Sequence, residues 1–162
     1  MNPWSRLNLV LGALASVLLL ALLLPRWLDP PAVERLTPLA AGDIDHIRIE
    51  RDRRLMLALE RRADRWYLTH PEQGPARTQR IGQLLAIASA PLRRRLPADA
   101  PLADYGLATP AAVVQFNQQR IAFGGRVPAQ RLRYVHLEDA VGLVDELYFN
   151  LLTLPQSHYL ED

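Results

Sequence analysis

An α+β domain behind an amino-terminal membrane helix is the fold class this sequence predicts, and three observations predict it. Residues 7–24 are an almost unbroken apolar run, two groups of segments alternate apolar and polar residues with period two, and one stretch between those groups repeats its apolar residues every three or four positions. The expected organisation is a transmembrane signal-anchor helix over residues 1–27, a proline-rich linker over 28–38 and an extracytoplasmic domain over 39–162. That domain is expected to be a mostly antiparallel sheet with one main helix and a short C-terminal helix.

The apolar run reads LNLVLGALASVLLLALLL, with Asn8 and Ser16 as its polar members. As a helix it would be about 27 Å long, close to the roughly 30 Å hydrocarbon thickness of a bilayer. Trp4 and Trp27 flank it, at the level where amphipathic rings meet the two interfaces. A cleaved signal peptide needs a shorter apolar core followed by a small-x-small site, whereas this run continues into LLLPRWLDPP, so an uncleaved anchor is expected. Arg6 with the amino terminus nearly balances Arg26 with Arg35. The short tail before the run favours tail inside and domain outside, a single pass through a bacterial inner membrane with the domain in the periplasm. Asn8, Gly12 and Ser16 recur every four residues and stack on one helix face, the spacing that suits contact with a partner helix.

Pro25 to Pro38 holds four prolines and no clear period, and reads as a stiff spacer. Strands are expected at Asp45–Arg51, with Ile47 and Ile49 on one face, at Arg54–Glu60, with Leu55, Leu57 and Leu59 on one face, and at Arg65–Thr69. The short charged turns RDRR and RRAD between them indicate an antiparallel meander. HPEQGP breaks the pattern. Ala76–Ala90 then carries Ile81, Leu84, Leu85 and Ala88 at helical spacing and is ended by Pro91, with Trp66 expected to bury against Leu84 and Leu85. Leu92–Pro97 reads as a short strand, and Ala98–Pro110 as a compact loop or a single helical turn. The second half supplies strands at Ala111–Asn117, Arg120–Gly125, Arg133–Glu138 and Val141–Glu146. Gln118-Gln119 and Asp139-Ala140 are the expected tight connections, and Glu146–Leu152 the closing helix.

These segments resemble a known bacterial family, the one catalogued as domain of unknown function 4340. Its Y/F-G-L-x-x-P element is similar to Tyr105, Gly106, Leu107 and Pro110 here. Its I-x-F/I-G turn is similar to Ile121, Phe123 and Gly124, and its two following strands to Tyr134-Val135 and to Val141 with Val144. The resemblance covers roughly Leu39 to Glu146. It implies one amino-terminal transmembrane helix and an association with gliding-type ABC transporter components, and it brings no catalytic residue.

Composition narrows the chemistry. The chain has no cysteine, which removes disulfides, thiolate nucleophiles and Cys-ligated zinc, and all 19 basic residues are arginine, which removes Walker loops, Schiff bases and Ser-Lys dyads. From Leu36 to Ala100 there are 12 arginines against 8 acids, and from Pro101 onward 4 against 7, so the front of the domain is basic and the back acidic. Gly124-Gly125-Arg126 raises the question of a phosphate-gripping loop. Such a loop needs a helix N-terminus after its glycines, and here RVPAQR and another strand follow. The glycines are therefore expected to supply positive φ in a long hairpin connection, with an anion held by Arg126 and Arg131 as the alternative.

His46 and His136 are expected on the polar side of their strands. No second histidine stands at ligand spacing from His136, so no metal is expected. Neither Ser89 nor Ser157 lies in a nucleophile elbow, and Asp145-Glu146 falls where a helix start already favours acids. Neither an enzymatic activity nor a cofactor is expected, and nucleic acid is not an expected partner. Arg93, Arg94 and Arg95 are the best candidates for contact with lipid headgroups or an acidic partner, with plain solvation as the alternative. The expected role is a non-catalytic accessory subunit of a larger envelope or transport complex, contacting other membrane subunits through its helix and outer domain. The alternative is a periplasmic binding module for an anionic ligand or glycan.

Overall fold

The computed structural model describes residues 11–19, 34–97, 101–138 and 140–161. The chain divides into two compact units, Met1–Val33 and Glu34–Asp162. In the first, residues 11–19 form helix α1, with the Ser16 hydroxyl donating to the Gly12 carbonyl at 2.9 Å. Leu11, Leu14, Val17, Leu18 and Leu19 are exposed on it. Among the described residues no helix is long and apolar enough to cross a membrane. The rest of the expected span over 1–27, Asn8 included, lies outside the described residues.

The second unit is a nine-stranded antiparallel sheet with helices on one face. Its strands are β1 (His46–Arg51), β2 (Arg54–Arg62), β3 (Arg65–His70), β4 (Gly74–Pro75), β5 (Arg94–Leu96), β6 (Ala112–Phe116), β7 (Gln119–Arg126), β8 (Leu132–His136) and β9 (Val141–Asp145). Two helices join them, α2 (Thr78–Ala88) and α3 (Glu146–Leu152). The spatial order is β4-β3-β2-β1-β6-β7-β8-β9-β5. The β1–β2 and β2–β3 hairpins turn through Asp52-Arg53 and Ala63-Asp64, all with φ between 45° and 65°, the left-handed backbone that matches the twist of paired strands. The β6–β7 turn uses Asn117 and Gln118, one residue earlier than expected. Asn117 accepts from the Asp45 and His46 amides at 2.9 and 3.0 Å and donates to the Asp43 carbonyl at 2.7 Å, which pins that turn to the start of β1.

Part of the expected linker belongs to the folded unit. The Leu36 and Thr37 amides donate to the Ala90 and Ala88 carbonyls at 3.0 Å each, and both side chains are buried. Leu36 supplies apolar surface, and the Leu36 and Thr37 amides find carbonyl acceptors at the end of α2, so this stretch folds there despite its proline neighbour.

Period two holds in β1, where Ile47 and Ile49 face the helices, and in β2, where Leu57 and Leu59 do so. Leu55 is only half-buried, because a bulge between Ile49 and Glu50 shifts the pairing at that end. Trp66 joins Ile81, Leu84 and Ile87 of α2 in the main core. Leu85 packs at its margin, and Ile87 takes the fully buried place. Each large aliphatic side chain so buried contributes roughly 1.5–3 kcal/mol. A smaller second core lies on the other face, where Leu107 covers Val113, Ala122 and Val141 beside Tyr105 and Tyr134.

Candidate functional site

Gly124 and Gly125 lie inside β7, not in the connection after it, and neither has the positive φ expected of them. The left-handed glycine is Gly106, with φ of 66°. The Tyr105 carbonyl accepts from the Gly125 amide at 2.7 Å. A Cβ on Gly124 would overlap that carbonyl and come within 2.9 Å of the Leu107 side chain. The glycines are thus a flat place in the strand on which the Tyr105-Gly106-Leu107 loop rests. That close approach is what sets Leu107 into the second core.

Arg133 is the buried charge of this region. Although its neighbour Tyr134 faces the second core, Arg133 shares the helix-side parity of Val135 and is 7% exposed. Its Nε and Nη2 donate to the two oxygens of Glu146 at 2.9 Å each, its Nη1 donates to the Gly124 carbonyl at 2.5 Å, and its guanidinium carbon lies 3.5 Å from the centroid of the Phe149 ring. Glu146 is the first residue of α3 and Asp145 its cap, accepting from the Leu147 amide at 3.0 Å. The acidic pair therefore starts a helix, as the sequence suggests.

Glu146 also commits Arg126, whose Nε is 3.6 Å from it. Arg131 is exposed in the β7–β8 loop and offers its carbonyl to the Glu146 amide at 2.9 Å. The Gly125 amide, a backbone donor an anion here would need, is already given to the Tyr105 carbonyl, so that glycine adds no free N–H to Arg126 and Arg131.

The triple arginine sits elsewhere, on the last strand of the sheet. Arg93 lies 4.0 Å from Asp145, and Arg95 pairs with Glu34 at 2.8 Å. Arg94 is exposed and makes no ion pair among the described residues. Arg93 and Arg94 rim a cleft of about 280 Å³ whose other walls include Tyr105, Gln130, Tyr134 and Leu143. The two tyrosine rings lie 4.5 Å apart between centroids. The structure therefore joins two of the five candidate arginines in one cleft and leaves Arg95, Arg126 and Arg131 outside it. Sequence reasoning misses Tyr105, Gln130 and Tyr134 as cleft residues, since they come from a loop and two different sequence neighbourhoods.

Larger hollows exist on the open sheet face beside His46, Arg48 and Glu60, about 400 Å³, and near Arg51, Glu72 and Ser157, about 440 Å³. Arg51 there donates to the Thr153 carbonyl at 3.3 Å. No group of three His, Cys, Asp or Glu is placed to hold a metal among the described residues. The Tyr159 hydroxyl, donating to the Leu151 carbonyl at 2.8 Å, is pushed up to about 12 by burial.

The family model described as domain of unknown function (DUF4340) matches residues 66–161, more than half of the chain. The matched span starts within β3, later than the resemblance at Leu39, and runs past α3 to Glu161. It contains the Tyr105-Gly106-Leu107 loop, both glycines of β7 and the whole cleft. No curated protein and no solved structure matches the chain.

Proposed function

This chain belongs to the DUF4340 family, and on that premise we propose that it is a non-catalytic accessory subunit of a larger bacterial envelope or transport complex. In this reading a single pass over residues 1–27 holds it in the inner membrane, and the unit from Glu34 onward faces the periplasm. The observation that carries the reading is the placement of Arg93 and Arg94 at the sheet edge, over an aromatic cleft, with Arg94 unpaired among the described residues. An exposed cation beside two tyrosines is a composition suited to protein contact, where Arg and Tyr supply much of the binding energy. The apolar run at 7–24 and the Asn8, Gly12 and Ser16 stripe support a second contact within the membrane.

Purification of the full chain from detergent-solubilised membranes, with mass determination, tests this. A defined second subunit in fixed ratio, lost in Arg94→Glu, is the expected result. A chain that elutes alone at every detergent concentration overturns it. Alkaline phosphatase fused to the C-terminus should be active, and an inactive fusion overturns the orientation.

The size and walls of the cleft favour a second reading, a binding module for an anionic ligand or glycan. Calorimetry with inorganic phosphate and with an acidic oligosaccharide separates the two. Saturable heat that disappears in Tyr105→Ala, from a chain without a partner subunit, supports the module.

A further inference from the structure

Register carries one row of side chains through β5, β9 and β8. Leu143 stands opposite Arg94 on one side and Tyr134 on the other, so all three point to the face of the second core. Arg94 and Tyr134 are then roughly 10 Å apart at their backbones, with a shorter leucine between two long side chains. That row makes the cleft of about 280 Å³ a trough, with Leu143 as its floor. The β7–β8 connection closes one end, since the Val127 amide donates to the Leu132 carbonyl at 2.9 Å and the Gln130 amide to the Val127 carbonyl at 3.3 Å. Tyr105 backs Tyr134, with the ring centroids 4.5 Å apart.

The charge in this trough is unbalanced. Arg93 lies 4.0 Å from Asp145, whose carboxylate also caps α3. The Arg94 side chain has neither an ion pair nor a hydrogen bond among the described residues, and no acid stands among the described walls of the cleft. Apart from the arginines and Gln130, those walls are aliphatic or aromatic. A free inorganic anion would satisfy Arg94 and leave Leu132, Leu143 and both rings facing water. A sugar ring asks for hydrogen-bond partners all round its edge, and the floor here offers it leucine. A carboxylate joined directly to an apolar, ring-bearing body matches both parts of the surface.

We propose, resting on the accessory-subunit reading, that the cleft receives the C-terminal residue of the partner subunit, an aromatic one, with its ring over Leu143 against Tyr134 and its terminal carboxylate on Arg94. The end of a polypeptide is where a carboxylate and an aromatic ring belong to one residue, and one residue is what a hollow of about 280 Å³ accepts. The guanidinium fork of Arg94 can give parallel hydrogen bonds to both carboxylate oxygens. Offset contact of the ring with Tyr134 adds attraction beyond the area it buries. A second copy of this chain does not supply the occupant. Its residues 159–161 are held at the opposite end of the sheet, where the Arg77 amide donates to the Tyr159 carbonyl at 2.8 Å and the Glu161 amide to the Pro75 carbonyl at 3.1 Å.

The probe is a synthetic pentapeptide, glycine-serine-glycine-serine-phenylalanine with a free terminal carboxylate, titrated by calorimetry into the full chain in neutral detergent micelles, with empty micelles as the blank. Saturable binding is expected. It should weaken about fivefold when the peptide ends in a carboxamide, and about tenfold or more when alanine replaces phenylalanine. Arg94→Gln should bring the same loss of about fivefold for the free acid and none for the carboxamide, a coupling that a general disturbance of the fold does not produce. Arg120→Gln, at an exposed position of β7 outside the cleft, should bind like the parent. With benzoylphenylalanine as the last residue, irradiation should attach the peptide at residues 94–96, at Tyr105, or within 127–134 or 141–145. The proposal is overturned if no peptide binds, if the carboxamide binds as well as the acid, if attachment falls elsewhere, or if an acidic oligosaccharide binds more tightly with the same dependence on Arg94. Failure of the peptide while the chain still co-purifies with a membrane subunit removes only the chain-end docking. Peptide binding with the expected pattern by a chain that never co-purifies with a subunit removes the accessory-subunit reading and leaves the cleft site standing.

Discussion

Removing Glu146 should cost more than removing any other single charge in the folded unit. Its carboxylate takes two hydrogen bonds from Arg133, whose side chain is 9% exposed, and its own side chain is 14% exposed. In Glu146→Ala the guanidinium keeps the Gly124 carbonyl and the face of Phe149 and loses its counter-charge. Breaking a buried pair from one side costs about 3–5 kcal/mol, and loss of an acid from the first turn of α3 adds about 0.3–1 kcal/mol. Arg133→Ala should cost less, because Glu146 can turn to Arg126, which is 3.6 Å away and largely solvated. Arg126→Ala should change stability by less than about 1 kcal/mol, as exposed pairs do. Urea unfolding of the full chain and its variants, read by circular dichroism, measures all three. The paired variant Arg133→Met with Glu146→Leu should recover much of the Glu146→Ala loss, since no unpaired charge is left inside. If Glu146→Ala unfolds within about 1 kcal/mol of the parent, the clamp across β7, β8 and α3 is not what holds that corner.

Three further outcomes are expected. Trp66→Ala should cost about 3–5 kcal/mol in urea titration, from the cavity it leaves against Ile81 and Leu84, and a parent-like midpoint would refute the pairing of β3 with α2. Gly124→Ala should destabilise by about 1–3 kcal/mol, because its Cβ meets the Tyr105 carbonyl, and should raise amide exchange at Gly125; a neutral effect would mean that the 101–110 loop does not rest on β7. Tyr159 binds its proton more tightly in the folded state, so its contribution is constant below the ordinary tyrosine pKa of about 10 and stability falls as pH rises from there toward about 12. Tyr159→Phe should flatten that part of the curve, and an unchanged slope would place the hydroxyl in water.

Elements written in local periodicity were legible. Ile47 and Ile49 on one face of β1, Leu57 and Leu59 on one face of β2, and Ile81 with Leu84 on α2 follow from side-chain spacing, which is a property of a few neighbouring residues. Asp145-Glu146 at the start of α3 was legible for the same reason, since a cap acts within one turn. A signal for Arg133 was also present: it shares parity with Val135, so a strand reading with Val135 inward puts an arginine inward and demands an acid.

The cleft was not legible, and neither was the work of the β7 glycines. Glycine suits a left-handed turn and a strand surface pressed by another backbone equally well, and only the arrival of Tyr105 on Gly125 separates the two. Local pattern marks Arg94–Leu96 as a strand without saying which strand it joins. That choice fell to β9 because a strand only 3 residues long is placed by whichever edge is left uncovered once β6 to β9 have paired. By itself the sequence determined an apolar amino-terminal run, an antiparallel α+β domain and a triple arginine. Only the tertiary structure set Arg93 and Arg94 of that cluster beside Tyr105 and Tyr134, at the last of the described strands, because clefts are made by contacts between segments far apart in the chain.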